Sequence, residues 1–278
     1  MSKGHIKFWG VRGSYPTPEK DKMAFGGDTS CVEIRTHDND LIILDMGTGI
    51  RNLGKAILND KNYPKEINIV LSHYHWDHIM GFFSFAPLYS SEYTVNIYGY
   101  NKNTPIELLR DTLINKHFWP SDEDNYKAKI NFIGLPHESN EANYLEINTT
   151  KLHYSIHPHP NGTNSLKVEI QGKSITYITD CEHPLGKLNP NVLEIADGSD
   201  ILIHDAHFTI NDLAKFKGYG HSSWKQAVDV ATISHSKQLI LFHFCPEYDD
   251  QQVKENEKNA QKKFINTLAA YQGLKIEL

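Results

Sequence analysis

The stretch Leu71-Ser72-His73-Tyr74-His75-Trp76-Asp77-His78-Ile79-Met80-Gly81 decides how the rest of the chain is read. It follows Glu66-Ile67-Asn68-Ile69-Val70, an apolar, β-branched run that predicts a buried strand. Three histidines and an aspartate then fall within six positions. In extended backbone, residues i and i+2 point to the same side. His73 and His75 can therefore reach one ion, while Asp77 and His78, past the bend, serve a second. A polar loop facing water would account for a lone histidine. A His-x-His-x-Asp-His series between a buried strand and Gly81 points instead to a metal centre.

Working outward, other chemistry-bearing residues also follow apolar runs. Leu41–Leu44 reads as a central strand ending on Asp45, a turn residue that can cap the helix expected from Ile50 to Leu58. Ser174–Thr179 ends on Asp180, Ile201–Ile203 on His204-Asp205-Ala206-His207, and Gln238–Phe242 on His243. Two histidines compete in His157-Pro158-His159-Pro160-Asn161-Gly162. After Gly81 a helix is expected to run from Phe82 to near Pro87. Another spans Lys225–Ser234 with Ser222 or Ser223 as N-cap, and a last one starts at Asp249 or Asp250 with Val253, Phe264 and Leu268 facing inward. From about Asn101 to Asn148 an insertion is expected over the mouth of the site, its aromatics serving mainly for packing.

At the histidine series the chain resembles the metallo-β-lactamase superfamily of metal-dependent hydrolases. Phe8-Trp9-Gly10-Val11-Arg12-Gly13-Ser14, Gly26-Gly27-Asp28-Thr29-Ser30-Cys31 and His204-Asp205-Ala206 look like the branch that holds cyclic-nucleotide phosphodiesterases and ribonuclease Z. The resemblance covers most of the chain, with gaps at about 101–148 and after Tyr248. It implies an α/β fold of the four-layer αβ/βα sandwich type and one domain over residues 1–278. It makes Asp45 a brace for the histidine loop, and it favours His159 over His157, because the third metal-binding histidine of the family sits in a His-Pro-x-Gly-like turn before a strand. Two divalent ions are then implied, zinc foremost, with manganese or iron as alternatives. His73, His75 and His159 would hold one, Asp77, His78 and His243 the other, and Asp180 would bridge them. A hydroxide shared by the ions would be the nucleophile. His221, in Gly220-His221-Ser222-Ser223, is similar to the histidine that protonates the leaving group in the ribonuclease Z branch. Asp205, one methylene shorter than the glutamate of that branch's His-Glu-Ala motif, would orient it. The catalytic set implied is Asp77, His221 and Asp205.

Bulk properties narrow the substrate. The 278 residues carry a net charge of -6 with no Lys/Arg-rich block, which disfavours a long nucleic acid and leaves a small anionic substrate open. No apolar run approaches the roughly 20 residues of a membrane span, and no signal-peptide core precedes the first strand, so a cytoplasmic protein without a membrane partner is expected. Three cysteines, Cys31, Cys181 and Cys245, fit buried thiols in a reducing compartment, a thiolate ligand from Cys181 or Cys245 being the minor alternative. A homodimer is compatible with the sequence. The function expected is hydrolysis of a small phosphodiester, a cyclic nucleotide foremost. The alternatives are a ribonuclease Z-like RNA 3'-end nuclease, a thioesterase or lactonase of the same fold, and a non-catalytic metal-binding protein.

Overall fold

A computed structural model describes residues 4–99, 105–120, 124–135 and 143–278. In chain order the strands are β1 (His5–Gly10), β2 (Cys31–Arg35), β3 (Leu41–Leu44), β4 (Glu66–Val70), β5 (Thr94–Gly99), β6 (Lys129–Gly134), β7 (Tyr144–Ile147), β8 (Thr150–His157), β9 (Thr163–Ile170), β10 (Lys173–Ile178), β11 (Ile201–Asp205), β12 (Gln238–Phe242), β13 (Thr267–Ala269) and β14 (Lys275–Glu277). The α-helices are α1 (Ile50–Asn59), α2 (Trp76–Ile79), α3 (Ile106–Leu113), α4 (Pro190–Ala196), α5 (Ile210–Leu213), α6 (Trp224–Ile233) and α7 (Asp250–Gln261). The chain divides into two compact units: Met1–Gly10 with Asp28–Pro136 and Gln272–Leu278, and Val11–Gly27 with His137–Tyr271. Each unit holds one mixed sheet.

The first sheet has the order β14-β1-β2-β3-β4-β5-β6 and the second β7-β8-β9-β10-β11-β12-β13. Both follow one rule: read in these orders, the first three pairings are antiparallel and the last three parallel. Strands within the parallel half are covered on both faces, so β3 (Leu-Ile-Ile-Leu) and β11 (Ile-Leu-Ile-His-Asp) are buried at every position. Strand β1, on the antiparallel side, alternates between half-buried and buried residues. In the first unit Leu53 and Ile57 of α1 and Ile106, Leu109 and Leu113 of α3 join Ile67, Ile69, Val95 and Ile97 in one apolar core. Each fully buried aliphatic side chain contributes about 1.5–3 kcal/mol. In the second unit α4 packs on β8, β9 and β10, and α6 on β11 and β12. Asn189 caps α4 through its side chain, with Pro190 at the first helical position. Ser223 caps α6 in a capping box with Gln226.

Two expectations need correction. No continuous helix follows Gly81: α2 is four residues long, and two 3-10 turns follow, Phe82–Ser84 and Ala86–Tyr89. Phe82, Phe85 and Leu88 are all buried, and their spacing of three matches the 3-10 repeat, while Pro87 has no N–H with which to continue an α-helix. At the other end α7 stops at Gln261, leaving Phe264 beyond it and Leu268 in β13, which pairs in parallel with β12. Val253 is inward, as expected.

Of the segment read as an insertion, residues 101–104, 121–123 and 136–142 lie outside the described residues. The remainder forms α3, β6, which edges the first sheet, and β7, which edges the second. Trp119 stacks on Phe83 at 5.0 Å and Tyr126 meets Phe82 at 5.4 Å, so these aromatics pack.

Candidate metal centre

In the first unit the site grows from the carboxyl ends of the neighbouring parallel strands β3 and β4. Asp45 follows β3 with φ +61°, a left-handed conformation that turns its carboxylate back under the histidine loop. Gly49, not Asp45, occupies the cap of α1. Instead Asp45 Oδ1 accepts the Ser72 N–H (2.7 Å), and Oδ2 accepts the Ser72 hydroxyl (2.9 Å) and His78 Nδ1 (2.7 Å). The loop is sewn to this turn through Met46 N–H to His78 O (2.8 Å) and Gly81 N–H to Met46 O (3.0 Å). A Cβ on Gly81 would lie 2.0 Å from Gly47 O, so only glycine fits.

These bonds set the ring tautomers. His78 Nδ1 carries the proton given to Asp45, which leaves the Nε2 lone pair 3.2 Å from Asp77 Oδ2. The single Ser72 hydroxyl proton goes to Asp45, so His73 Nδ1 donates to Ser72 Oγ (3.1 Å) and its lone pair is also on Nε2. The His73 ring centre lies 4.5 Å from that of His75 and 4.3 Å from that of His78.

In the second unit Asp180 and His243, past β10 and β12, share the left-handed conformation (φ +54° and +61°). The Asp180 carboxylate is two-faced. Oδ1 lies 3.7 Å from His159 Nε2, and Oδ2 lies 3.2 Å from His243 Nε2. His159 Nδ1 donates to Gly220 O (2.9 Å), so its Nε2 presents a lone pair to a carboxylate. His157 turns elsewhere: its Nε2 meets the carbonyls of Thr179 and Asp180 (both 3.3 Å), and its Nδ1 meets Ser165 Oγ (2.9 Å). Burial pushes His157 down to about 4, so it is a neutral brace beneath Asp180.

Asp205 is fully buried at the end of β11 and saturated. Oδ1 accepts the N–H groups of His207 (3.0 Å) and Ser222 (3.1 Å), and Oδ2 accepts Asp180 N–H (3.0 Å) and His221 Nδ1 (3.0 Å). The shorter side chain therefore does reach His221. Burial alone would raise the Asp205 carboxyl, but the charge and hydrogen bond of His221 outweigh it and hold the group below the usual carboxylate range. His207 stacks on His221 (4.1 Å, 11°) and donates Nδ1–H to His243 O (3.0 Å). Burial, with the charges of His221 and His243 next, lowers His207 to about 3.

A second buried group lies beside these residues, joining Cys181, the minor thiolate alternative of the sequence, to His183 and His204, which the sequence did not bring to it. Cys181 Sγ lies 3.9 Å from His183 Nε2, and the His183 ring stacks on His204 at 5.8 Å. Their candidate ligand atoms all fall within 4.8 Å of one another. His183 Nδ1 accepts Asn189 N–H (3.1 Å), which puts its proton on Nε2, toward the sulfur. The spacing of Cys181 and His183 was visible in the sequence; the adjacency of β10 and β11 that adds His204 was not.

Lone-pair nitrogens facing carboxylate oxygens, at His78–Asp77 and His159–Asp180, are pairs that only a proton or a cation makes favourable, and His243 Nε2 lies 3.2 Å from the other oxygen of Asp180. Imidazole and carboxylate donors suit divalent zinc, manganese or iron. A family model described as a beta-lactamase superfamily domain matches residues 41–244, most of the chain. The chain belongs to this family. The fold of the family implies bound divalent metal ions, and the donor sets of both units fit them.

Ribonuclease Z of Bacillus subtilis (strain 168) is 30% identical over 118 residues, 42% of this chain and 37% of that protein. Ribonuclease BN of Proteus mirabilis (strain HI4320) is 29% identical over 110 residues, 40% and 34% respectively. The match thus spans about a third of the length of these curated relatives. Among solved structures, the metallo-beta-lactamase fold protein YhfI from Bacillus subtilis has a TM-score of 0.74 at 15% identity over the whole of both chains. A diphosphatase of the PhnP family reaches 0.69 at 20% identity over 99% and 98% of the two chains, and human tRNase Z, short form, 0.66 at 19% over 98% of each. At such identities these likenesses speak to the fold: the α/β metallo-β-lactamase fold expected from the sequence. No described helix is long and apolar enough to cross a membrane.

Proposed function

We propose that the protein is a metal-dependent phosphodiesterase that hydrolyses a small phosphodiester, a cyclic nucleotide foremost. The two units act together as one domain in this reading, each being assembled from non-contiguous segments that cannot be cut out as one piece. His73, His75 and His159 would hold one ion, Asp77, His78 and His243 the other, and Asp180 would serve both. When bound, two divalent ions supply an activated water and positive charge for the phosphoryl oxygens.

The observation that carries the reading is the His221–Asp205 pair. With Nδ1 bonded to the buried Asp205 carboxylate, His221 is held in one orientation and has a charge partner for its imidazolium form, as a proton donor to the leaving group requires. An alkoxide leaving a phosphodiester has a high pKa and gains from such a donor, whereas a thiolate leaves without one. A thioesterase therefore has less use for the pair. Asp45 and His157 orient, through Ser72, His78 and the Asp180 carbonyl, groups that hold the ions.

The ribonuclease relatives favour one alternative, cleavage at an RNA 3' end. The net charge of -6 opposes a long polyanion. Replacing His221 by Ala is expected to lower turnover about 10²- to 10⁴-fold on a cyclic nucleotide, and much less on bis(p-nitrophenyl) phosphate, whose leaving group needs little protonation. Equal losses on both, at unchanged metal content, would remove His221 as the acid. Cleavage of a tRNA precursor but of no cyclic nucleotide would decide for the ribonuclease.

A further inference from the structure

We infer that Tyr219, backed by Phe216, is a stacking platform for the nucleobase of a mononucleotide substrate. The inference rests on the phosphodiesterase reading and names the group that the substrate carries beside its phosphate. An unbroken series of rings leads from the proposed acid to the surface. Phe208 lies 5.8 Å from His221, Phe216 stacks on Phe208 at 5.2 Å and 14°, and Tyr219 meets Phe216 at 5.5 Å and 72°. Exposure rises along it: Phe208 is 4% exposed, Phe216 40% and Tyr219 62%. Scattered apolar residues on a surface need no explanation. Here, however, the outermost rings are continuous with the buried packing around His221.

The loop that presents Tyr219 is clamped. Glu182 accepts the N–H groups of both Gly218 and Gly220 (2.8 Å each), the glycines that flank Tyr219. Gly220 O accepts His159 Nδ1–H (2.9 Å), and Tyr219 N–H reaches Phe216 O (3.3 Å). Gly220 has φ +88°, and a Cβ there would lie 2.0 Å from His159 Nδ1, so the backbone is pressed against a proposed metal ligand. The backbone around Tyr219 is thus tied by four hydrogen bonds, three of them to the side chains of Glu182 and His159, two residues from His221. A ring carried on backbone fixed in this way has less freedom to lose when a planar partner stacks on it.

A base suits this surface because every nucleobase has a π face, and stacking needs no particular hydrogen-bonding edge. In a mononucleotide the base is one sugar away from the phosphate, a short step that suits a platform two residues from His221 in the chain and two ring contacts beyond Phe208. A long RNA would need a track of cations. On this loop Lys215 is committed to Asp212 (2.8 Å), which leaves Lys217.

The test is binding rather than turnover, so it is judged apart from hydrolysis. Titration calorimetry on the full-length, metal-loaded protein compares adenosine 5'-monophosphate with inorganic phosphate. Replacing Tyr219 by Ala is expected to weaken the nucleotide about 10-fold and to leave phosphate unchanged, while Tyr219→Phe keeps wild-type affinity for both. Tyr219 is exposed, so an unchanged melting temperature is the check on folding. The platform is overturned if Tyr219→Ala binds the nucleotide as the wild type does, if phosphate weakens in parallel, or if Tyr219→Phe loses as much as Tyr219→Ala. A protein that hydrolyses cyclic nucleotides yet gives any of these results refutes the platform and keeps the phosphodiesterase. Absence of hydrolysis with the expected binding pattern does the reverse.

Discussion

Asp45, Asp180 and His243 share a backbone choice that a side chain normally avoids. Each follows a strand at φ between +54° and +61°. Left-handed backbone costs a non-glycine residue on the order of 1–3 kcal/mol, and Asp and His are among the residues that bear it best. All three spend that cost on carboxylate or imidazole groups turned back toward histidines or Asp180. Their residue types and strand-end positions were legible in the sequence; the turn was not, because φ leaves no mark in residue spacing. The choice between His157 and His159 came from a turn motif, and the geometry adds a physical reason: His159 faces a carboxylate, His157 backbone carbonyls. Replacing His159 by Ala is therefore expected to cost at least one ion and nearly all activity, and replacing His157 by Ala far less. Metal analysis with a turnover assay checks this, and the reverse order would exchange the two roles.

Elements were legible where one period ruled. The continuous apolar runs of β3, β4 and β12 and the helical spacing of α1 needed nothing from elsewhere. Three-residue strands such as β13 and β14 were missed because their pairing partners lie far away, β14 against β1 and β13 against β12. Short elements also depend on side-chain ties. Thr209 caps α5, and the Asp212 carboxylate accepts Lys215 Nζ (2.8 Å), Tyr248 OH (2.6 Å) and Thr209 Oγ1 (2.8 Å). These bonds, Lys215 first, lower Asp212 from 3.8 to about 2. A depressed carboxyl stabilises the fold fully above its ordinary value and loses that contribution as pH falls through the folded one. Asp212 is partly exposed, which keeps the effect below about 1 kcal/mol. Urea midpoints of wild type and Asp212→Asn are expected to differ at pH 6 and to converge as pH falls from about 4 to 2. A gap independent of pH would show that the ionised form is not what matters.

At the scale of the molecule, the two sheets repeat one order of pairings, with proposed site residues past parallel strands of each. The repeat is invisible in the residues because it lives in strand direction, and the intervening segments differ in length and content. If both units feed a single centre, reconstituted protein should bind close to two ions per chain by metal analysis. A value fixed at one would remove the bridging role of Asp180.

Pairing of β1 with β14 joins His5 to Glu277 and Lys7 to Lys275, reinforced by Phe8 N–H to Leu274 O and Gly273 N–H to Phe8 O. During synthesis the first of these strands leaves the ribosome long before the last. At about 5–20 residues per second, tens of seconds pass between them. Throughout that interval one flank of β1 has no neighbour, and an open strand edge is an invitation to other chains. Crowded translation of this protein would thus be hazardous from the emergence of β1 until β14 arrives to seal the edge.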